Sequence, residues 1–135
     1  GTTFLDPGRC QPSEPVNVLN LHATAEEEIF YFGGTLTSTL PYPMPANMPA
    51  YPGAVQTVQT WAAYNGAREP ITDLTPSMDL DLKVPGLETV VTRYTSYPPG
   101  GAVELWTLNG ASHIPTLTAE FSPRVIDWLL AHPKP

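Results

Sequence analysis

Seventeen of the 135 residues of this chain are proline, and no other feature limits its folding so much. Each proline removes a backbone donor and fixes φ, so a chain this rich in them relies on ordered loops more than on packed helices. That argues against an all-helical bundle. Five of them, Pro41, Pro43, Pro45, Pro49 and Pro52, fall in a low-charge stretch at 35–53 that reads as a long surface loop without a regular ladder. Hydrophobic residues make up 41%, which excludes a disordered chain. The length suits one domain, residues 1–135, burying roughly two thirds of its unfolded surface.

Charge removes further classes. Six Lys and Arg against 13 Asp and Glu leave a net charge of −7, with no basic stripe to neutralise phosphates, so no nucleic acid is expected as partner. No apolar run reaches the ~18 residues of a membrane span, and Gly1-Thr2-Thr3-Phe4 has neither part of a signal peptide, so no membrane association is expected and any leader is expected to be already removed. Cys10 is the sole cysteine, either a free thiol or paired outside this chain. His22, His113 and His132 share no His-x-x-x-His spacing, which argues against a metal, and no cofactor is expected.

Along the chain, 16–21 (Val-Asn-Val-Leu-Asn-Leu) reads as a buried strand, followed by His22 and the carboxylates Glu26, Glu27 and Glu28. Val55, Val58, Trp61 and Ala62 recur at helical spacing over 54–65, ended by Asn65-Gly66. Residues 67–87 read mostly as loop, with room for a short strand in the alternation Asp79-Leu80-Asp81-Leu82. Strands at 89–94 and 103–108 flank the turn Pro98-Pro99-Gly100-Gly101 and are expected to pair as a hairpin. A final helix is expected to start at Ser122-Pro123 and to bury Val125, Ile126, Leu129 and Leu130. Trp61, Trp106 and Trp128 sit at apolar positions and read as core. The order of elements fits an α/β fold.

In open α/β sheets functional groups gather on loops leaving the carboxyl ends of strands. Here one such loop carries Glu26 to Glu28 and another carries His113. An acid followed later by a histidine is the second half of a serine-hydrolase triad in α/β-hydrolase order, in which the acid holds the tautomer of the base. The same carboxylates also read as a solvated charge run, His22 as a hydrogen-bonded structural residue, and His132 as a helix-end charge.

The stretch 16–26 with Tyr31 and Gly33-Gly34, the helix with Trp61-Ala62-Ala63, and Tyr94, Gly100-Gly101, Val103 to Thr107, Gly110, His113 and Pro115 together resemble the C-terminal part of the polyhydroxybutyrate depolymerase and feruloyl-esterase group of secreted α/β-hydrolases. The resemblance implies a carboxylic-ester hydrolase acting through an acyl-enzyme, with His113 as general base and acid and Glu26 as its orienting carboxylate, in place of the group's Asp. It implies an ester substrate (small acyl, hydroxyalkanoate, cinnamoyl or polyester) and a secreted or periplasmic location. Both halves of a disulfide common in the group are absent, at Ala67 and about Tyr97. Ala23 replaces a glycine, and repulsion from Glu27 and Glu28 is expected to raise one carboxylate's pKa.

Gly-x-Ser-x-Gly occurs nowhere, and Ser112, in Gly110-Ala111-Ser112-His113-Ile114, lacks the second glycine. Because the nucleophile precedes the acid in α/β-hydrolase chain order, the nucleophile-bearing half is expected upstream of Gly1, as a missing N-terminal part or a separate N-terminal companion polypeptide, and the fold usually takes about twice this length. Tyr42, Met44 and Tyr51, in the Pro-rich loop with Met48, are the candidates for substrate contact, against a plain surface insertion. The rival reading is a non-catalytic polymer-binding or structural module derived from the same fold.

Overall fold

The computed structural model describes residues 3–35 and 48–134. After a 3-10 turn at Pro7–Arg9 come β1 (Val18–Ala23), β2 (Gly33–Thr35), β3 (Ala50–Pro52), α1 (Ala54–Asn65), β4 (Arg68–Thr72), β5 (Thr89–Thr95), β6 (Val103–Leu108) and α2 (Phe121–Ala131). Four strands form one sheet in the order β1-β6-β5-β4, and β2 and β3 form a separate ribbon. β1 runs parallel to β6, while β5 is antiparallel to both β6 and β4. The architecture is α/β with a mixed sheet.

Parallel strands need a crossover, and α1 lies within the one joining β1 to β6. Its Ala54, Val58 and Ala62 pack with Tyr94, Val103 and Leu105 on one face of the sheet. The helix stops where Gly66 takes φ +68°, its N–H reaching the carbonyls of Ala62 and Ala63. Asn65, just inside that stop, is buried, and its amide holds Val16 N–H at 3.0 Å, Val16 C=O at 2.7 Å and Gly101 C=O at 3.1 Å. On the opposite face, Trp128 packs with Ala23, Val91, Trp106 and Leu108. Period-2 alternation therefore places Val103 and Leu105 of β6 against α1, and Trp106 and Leu108 against α2.

The expected hairpin of β5 and β6 is present, with Thr92 opposite Leu105. The first strand lies two residues later than expected, at Val18–Ala23, so that His22 is inside it. Residues 67–87 hold a strand, β4, where loop was expected, because Arg68 to Thr72 take their pairing from the edge of β5 and not from their own pattern. Asp79 to Leu82 form no strand of their own: Met78 and Asp81 make isolated bridges to Thr89 and Leu117. The stretch at 35–53 also contains a short ladder, because Pro52 stands at the end of β3 opposite Gly33, where its missing donor interrupts little.

The last helix corrects the sequence reading most. It begins at Phe121 with Glu120 as N-cap, and its buried side chain is Trp128, with Phe121 and Val125 packed on the core. Ile126, Leu129 and Leu130 are 53%, 53% and 74% exposed. Residues 121, 125 and 128 fall on one stripe at helical spacing, and the large indole seated on the sheet turns the other apolar stripe outward. Nδ1–H of His132 donates to the Trp128 carbonyl at 2.8 Å and closes the helix end.

Leu105, 1% exposed in the central strand, tests this arrangement. Leu105→Ala is expected to lower stability by about 2–5 kcal/mol in urea unfolding; a loss under about 1 kcal/mol is incompatible with this packing.

Candidate active site

The parallel pair of β1 and β6 continues beyond the strands. Thr24 N–H donates to Leu108 C=O at 3.0 Å, and Ala25 N–H donates to Ala111 C=O at 3.0 Å. Gly110, at φ +81°, turns the chain and donates to Thr24 Oγ1 at 2.8 Å. The carboxylate loop and the histidine loop thus leave the same sheet end side by side. The histidine loop is braced from its other flank, where Leu82 N–H reaches Thr116 C=O at 2.8 Å and Thr118 N–H reaches Leu80 C=O at 3.1 Å. Asp81, fully buried, accepts from Thr116 N–H at 2.9 Å and Lys83 N–H at 3.1 Å.

Between these loops Glu26 and His113 meet. His113 Nδ1 lies 2.7 and 2.8 Å from the two carboxylate oxygens of Glu26. Oε1 of Glu26 also accepts the backbone N–H of Glu28 at 2.7 Å and of Ile29 at 3.0 Å. The Glu26 side chain is 8% exposed, so these contacts replace most of its water. The loop curls back so that its own amides bind the carboxylate.

Glu27 and Glu28, read in the sequence only as added charges, complete the surroundings. Glu28 Oε2 stands 3.3 Å from His113 Nε2, and Glu27 Oε2 accepts the His113 backbone N–H at 3.2 Å. Three consecutive carboxylates after a strand end were the visible signal, but which of them would face the ring depends on the loop's curl. With a carboxylate at each ring nitrogen, the arrangement favours the doubly protonated imidazolium.

Burial alone would raise the pKa of Glu26. The N–H of Glu28, the His113 ring, the N–H of Ile29 and the histidine's charge outweigh it and hold the carboxyl below its ordinary value. The expected repulsive rise is therefore absent at Glu26. The hydrogen bond to Glu26 holds His113 above the ordinary imidazole value; partial burial opposes this, and the charges of Glu26, Glu28 and Glu27 reinforce it.

An apolar cavity of ≈ 470 Å³ opens beside the pair, walled by Leu21, Ile29, Leu108, Pro115, Leu117 and Phe121. Ser112 also lines it, its Oγ donating only weakly, at 3.5 Å, to Ile114 C=O. Tyr51 is buried behind the carboxylate loop, its hydroxyl accepting Phe30 N–H at 2.9 Å and donating to Glu28 C=O at 3.4 Å. Tyr42 and Met44 lie outside the described residues. Cys10 is a half-buried free thiol. Among the described residues no three His, Cys, Asp or Glu side chains gather as a metal site, and no helix is long and apolar enough to cross a membrane. No family model, curated protein or solved structure matches the chain.

The ion pair makes stability depend on pH in a defined direction. The raised histidine contributes stability fully present below the ordinary imidazole value of 6.5 and lost as pH rises through its folded pKa. The lowered carboxylate contributes stability present above the ordinary value of 4.5 and lost as pH falls through its folded pKa. The stability difference between the native chain and Glu26→Gln is therefore expected to be largest between these two values and to narrow on either side, as read by thermal unfolding across pH. By NMR titration, the His113 midpoint is expected to fall in Glu28→Gln and further in Glu26→Gln. The reverse order would place the dominant carboxylate wrongly.

Proposed function

We propose that this chain supplies the acid and the base of a serine-type carboxylic-ester hydrolase, as the C-terminal part of an α/β-hydrolase fold. The observation that carries this reading is the Glu26 carboxylate on His113 Nδ1, itself held by two backbone amides at the ends of adjacent parallel strands. A carboxylate at Nδ1 fixes the tautomer that leaves the Nε2 lone pair for a hydroxyl proton, and it stabilises the imidazolium formed when that proton is taken. Base catalysis requires Nε2 to be deprotonated and to face the hydroxyl in place of Glu28. The Glu28 side chain is 33% exposed and reaches water on turning away.

The serine comes from polypeptide outside this chain. Three features favour a companion covering this part of the molecule. Among the described residues β1 has a strand partner on one side only. Ile126, Leu129 and Leu130 present an exposed apolar stripe, and among the described residues the buried Nδ2 of Asn20 in β1 has no hydrogen-bond partner. Open strand edges and apolar patches of this kind are surfaces that proteins ordinarily cover. The substrate is an ester with an acyl or alcohol part suited to an apolar cavity, and the setting is secreted or periplasmic. The second reading, a non-catalytic binding module, is favoured by the absence of Gly-x-Ser-x-Gly.

A fluorophosphonate label on a companion band that co-purifies with this chain separates the two, since the binding module predicts no labelled band. In the assembled protein, His113→Ala is expected to reduce kcat/KM for a p-nitrophenyl ester by about 10³-fold or more. Because the base acts unprotonated, kcat/KM is expected to rise with pH through the raised His113 pKa. Unchanged esterase activity in His113→Ala would sink the assignment.

A further inference from the structure

The carboxylate loop does not hold its shape through Glu26 alone. Three successive residues behind the carboxylate, Glu28, Ile29 and Phe30, have backbone groups taken by two buried side chains from elsewhere in the fold. His22, in β1, lies 2.7 Å through Nε2 from the carbonyl of Ile29, and since a carbonyl only accepts, Nε2 carries the proton. Tyr51, in β3, accepts Phe30 N–H and donates to the carbonyl of Glu28. The peptide whose carbonyl Tyr51 holds, Glu28 to Ile29, presents the Ile29 N–H forward to Glu26 Oε1, and the Glu28 N–H, one peptide earlier, reaches the same oxygen.

We infer that His22 and Tyr51 are positioning residues that brace residues 28–30 so that their amides hold the Glu26 carboxylate on His113, an inference resting on the reading of Glu26 as the carboxylate that orients this histidine. The brace is tied into the scaffold at both ends. The His22 ring packs edge-on against Tyr31, centroids 5.7 Å apart at 88°, and the Tyr31 hydroxyl hydrogen-bonds Thr107 Oγ1 of β6 at 2.9 Å. Tyr51 is delivered by the β2–β3 ribbon, in which it stands opposite Gly34.

That ribbon accounts for the first glycine of the pair after Tyr31. At Gly33, φ is +79° and an added Cβ would lie 2.5 Å from the Gly53 nitrogen and 2.7 Å from the Tyr51 carbonyl oxygen. Across the contact, a Cβ on Gly53 would lie 2.6 Å from the Phe32 carbonyl carbon. Only glycine permits this approach of two backbones, and the approach brings the Tyr51 hydroxyl to the back of the loop. His22, which also lines the cavity, and Tyr51 thus act on Glu26 through the backbone of residues 28–30.

The test reads the His113 ring by NMR titration in this chain, with Glu26→Gln as the limit for a lost carboxylate. Tyr51→Phe, which removes one oxygen, and His22→Leu, which removes the donor, are each expected to move the His113 midpoint down towards that limit. Amide exchange at Glu28 and Ile29 is expected to quicken by about fivefold or more, the loss of one hydrogen bond. His22→Gln, which keeps an N–H donor, is expected to retain a midpoint near the native one. A purely structural role would lower the melting temperature and leave the midpoint in place, so folded Tyr51→Phe or His22→Leu titrating like the native chain overturns the brace. If His22→Leu does not fold, Tyr51→Phe decides. An unmoved midpoint in Glu26→Gln overturns the ion pair itself, and the brace with it, a failure distinct from the first.

Discussion

The parallel pairing of β1 with β6 is the interaction on which the rest of the molecule depends. Its register, Val18 opposite Val103 through Ala23 opposite Leu108, sets which residues of both strands face each helix. A slip by one residue would turn each side chain of β1 to the opposite face. Several contacts at the entry hold that register. Asn17 Oδ1 accepts Ala102 N–H at 2.9 Å, Val18 N–H donates to Ala102 C=O at 2.8 Å, and Asn65 ties the end of α1 to Val16 and Gly101. At the other end the same register runs on into the loops, so Glu26 and His113, 87 positions apart, meet without a long search. The site is in this sense the continuation of the sheet.

Electrostatically the site concentrates a general property of the chain at one point. A net charge of −7 spread over the surface would have little consequence for a single imidazole. Three carboxylates gathered around one ring have a large one. The buried carboxylate, bound by amides, is the ordered partner, whereas Glu28 is a partly exposed neighbour that competes for the outer nitrogen. One loop therefore supplies both the carboxylate that orients the ring and a second one that adds to its preference for the protonated form.

Much of this was legible in the sequence where local physics decides. α1 was readable because apolar spacing and a following Asn-Gly agree. The β5–β6 hairpin was readable because two apolar runs flank a Pro-Gly turn. The candidacy of Glu26 and His113 was readable from their positions just beyond two strands. β4 was not, because Arg68 to Thr72 are exposed throughout and contain a proline and a positive-φ Glu69; only the edge of β5 makes them a strand. Nor was the outward stripe of α2, since the helix has two apolar faces and the sequence does not rank Trp128 above Leu129. Tyr51 reads in sequence as a candidate for substrate contact in a proline-rich stretch, whereas its hydroxyl reaches residues 21 and 23 positions away.

By itself the sequence determined composition, charge, the ends of β1, α1, β5, β6 and α2 within a few residues, and the chemical types on each loop. These follow from backbone restriction by proline and glycine and from the period of apolar residues, both local in the chain. Tertiary structure alone decided that Glu26 and not Glu27 holds Nδ1, that its pKa falls where adjacent charges argued for a rise, and that His22 and Tyr51 stand behind it. The reason is that a carboxylate's partners and solvation are set by which backbone amides converge on it. That convergence is a product of strand register and of the close approach of Gly33 to Gly53, neither of which has a local signature.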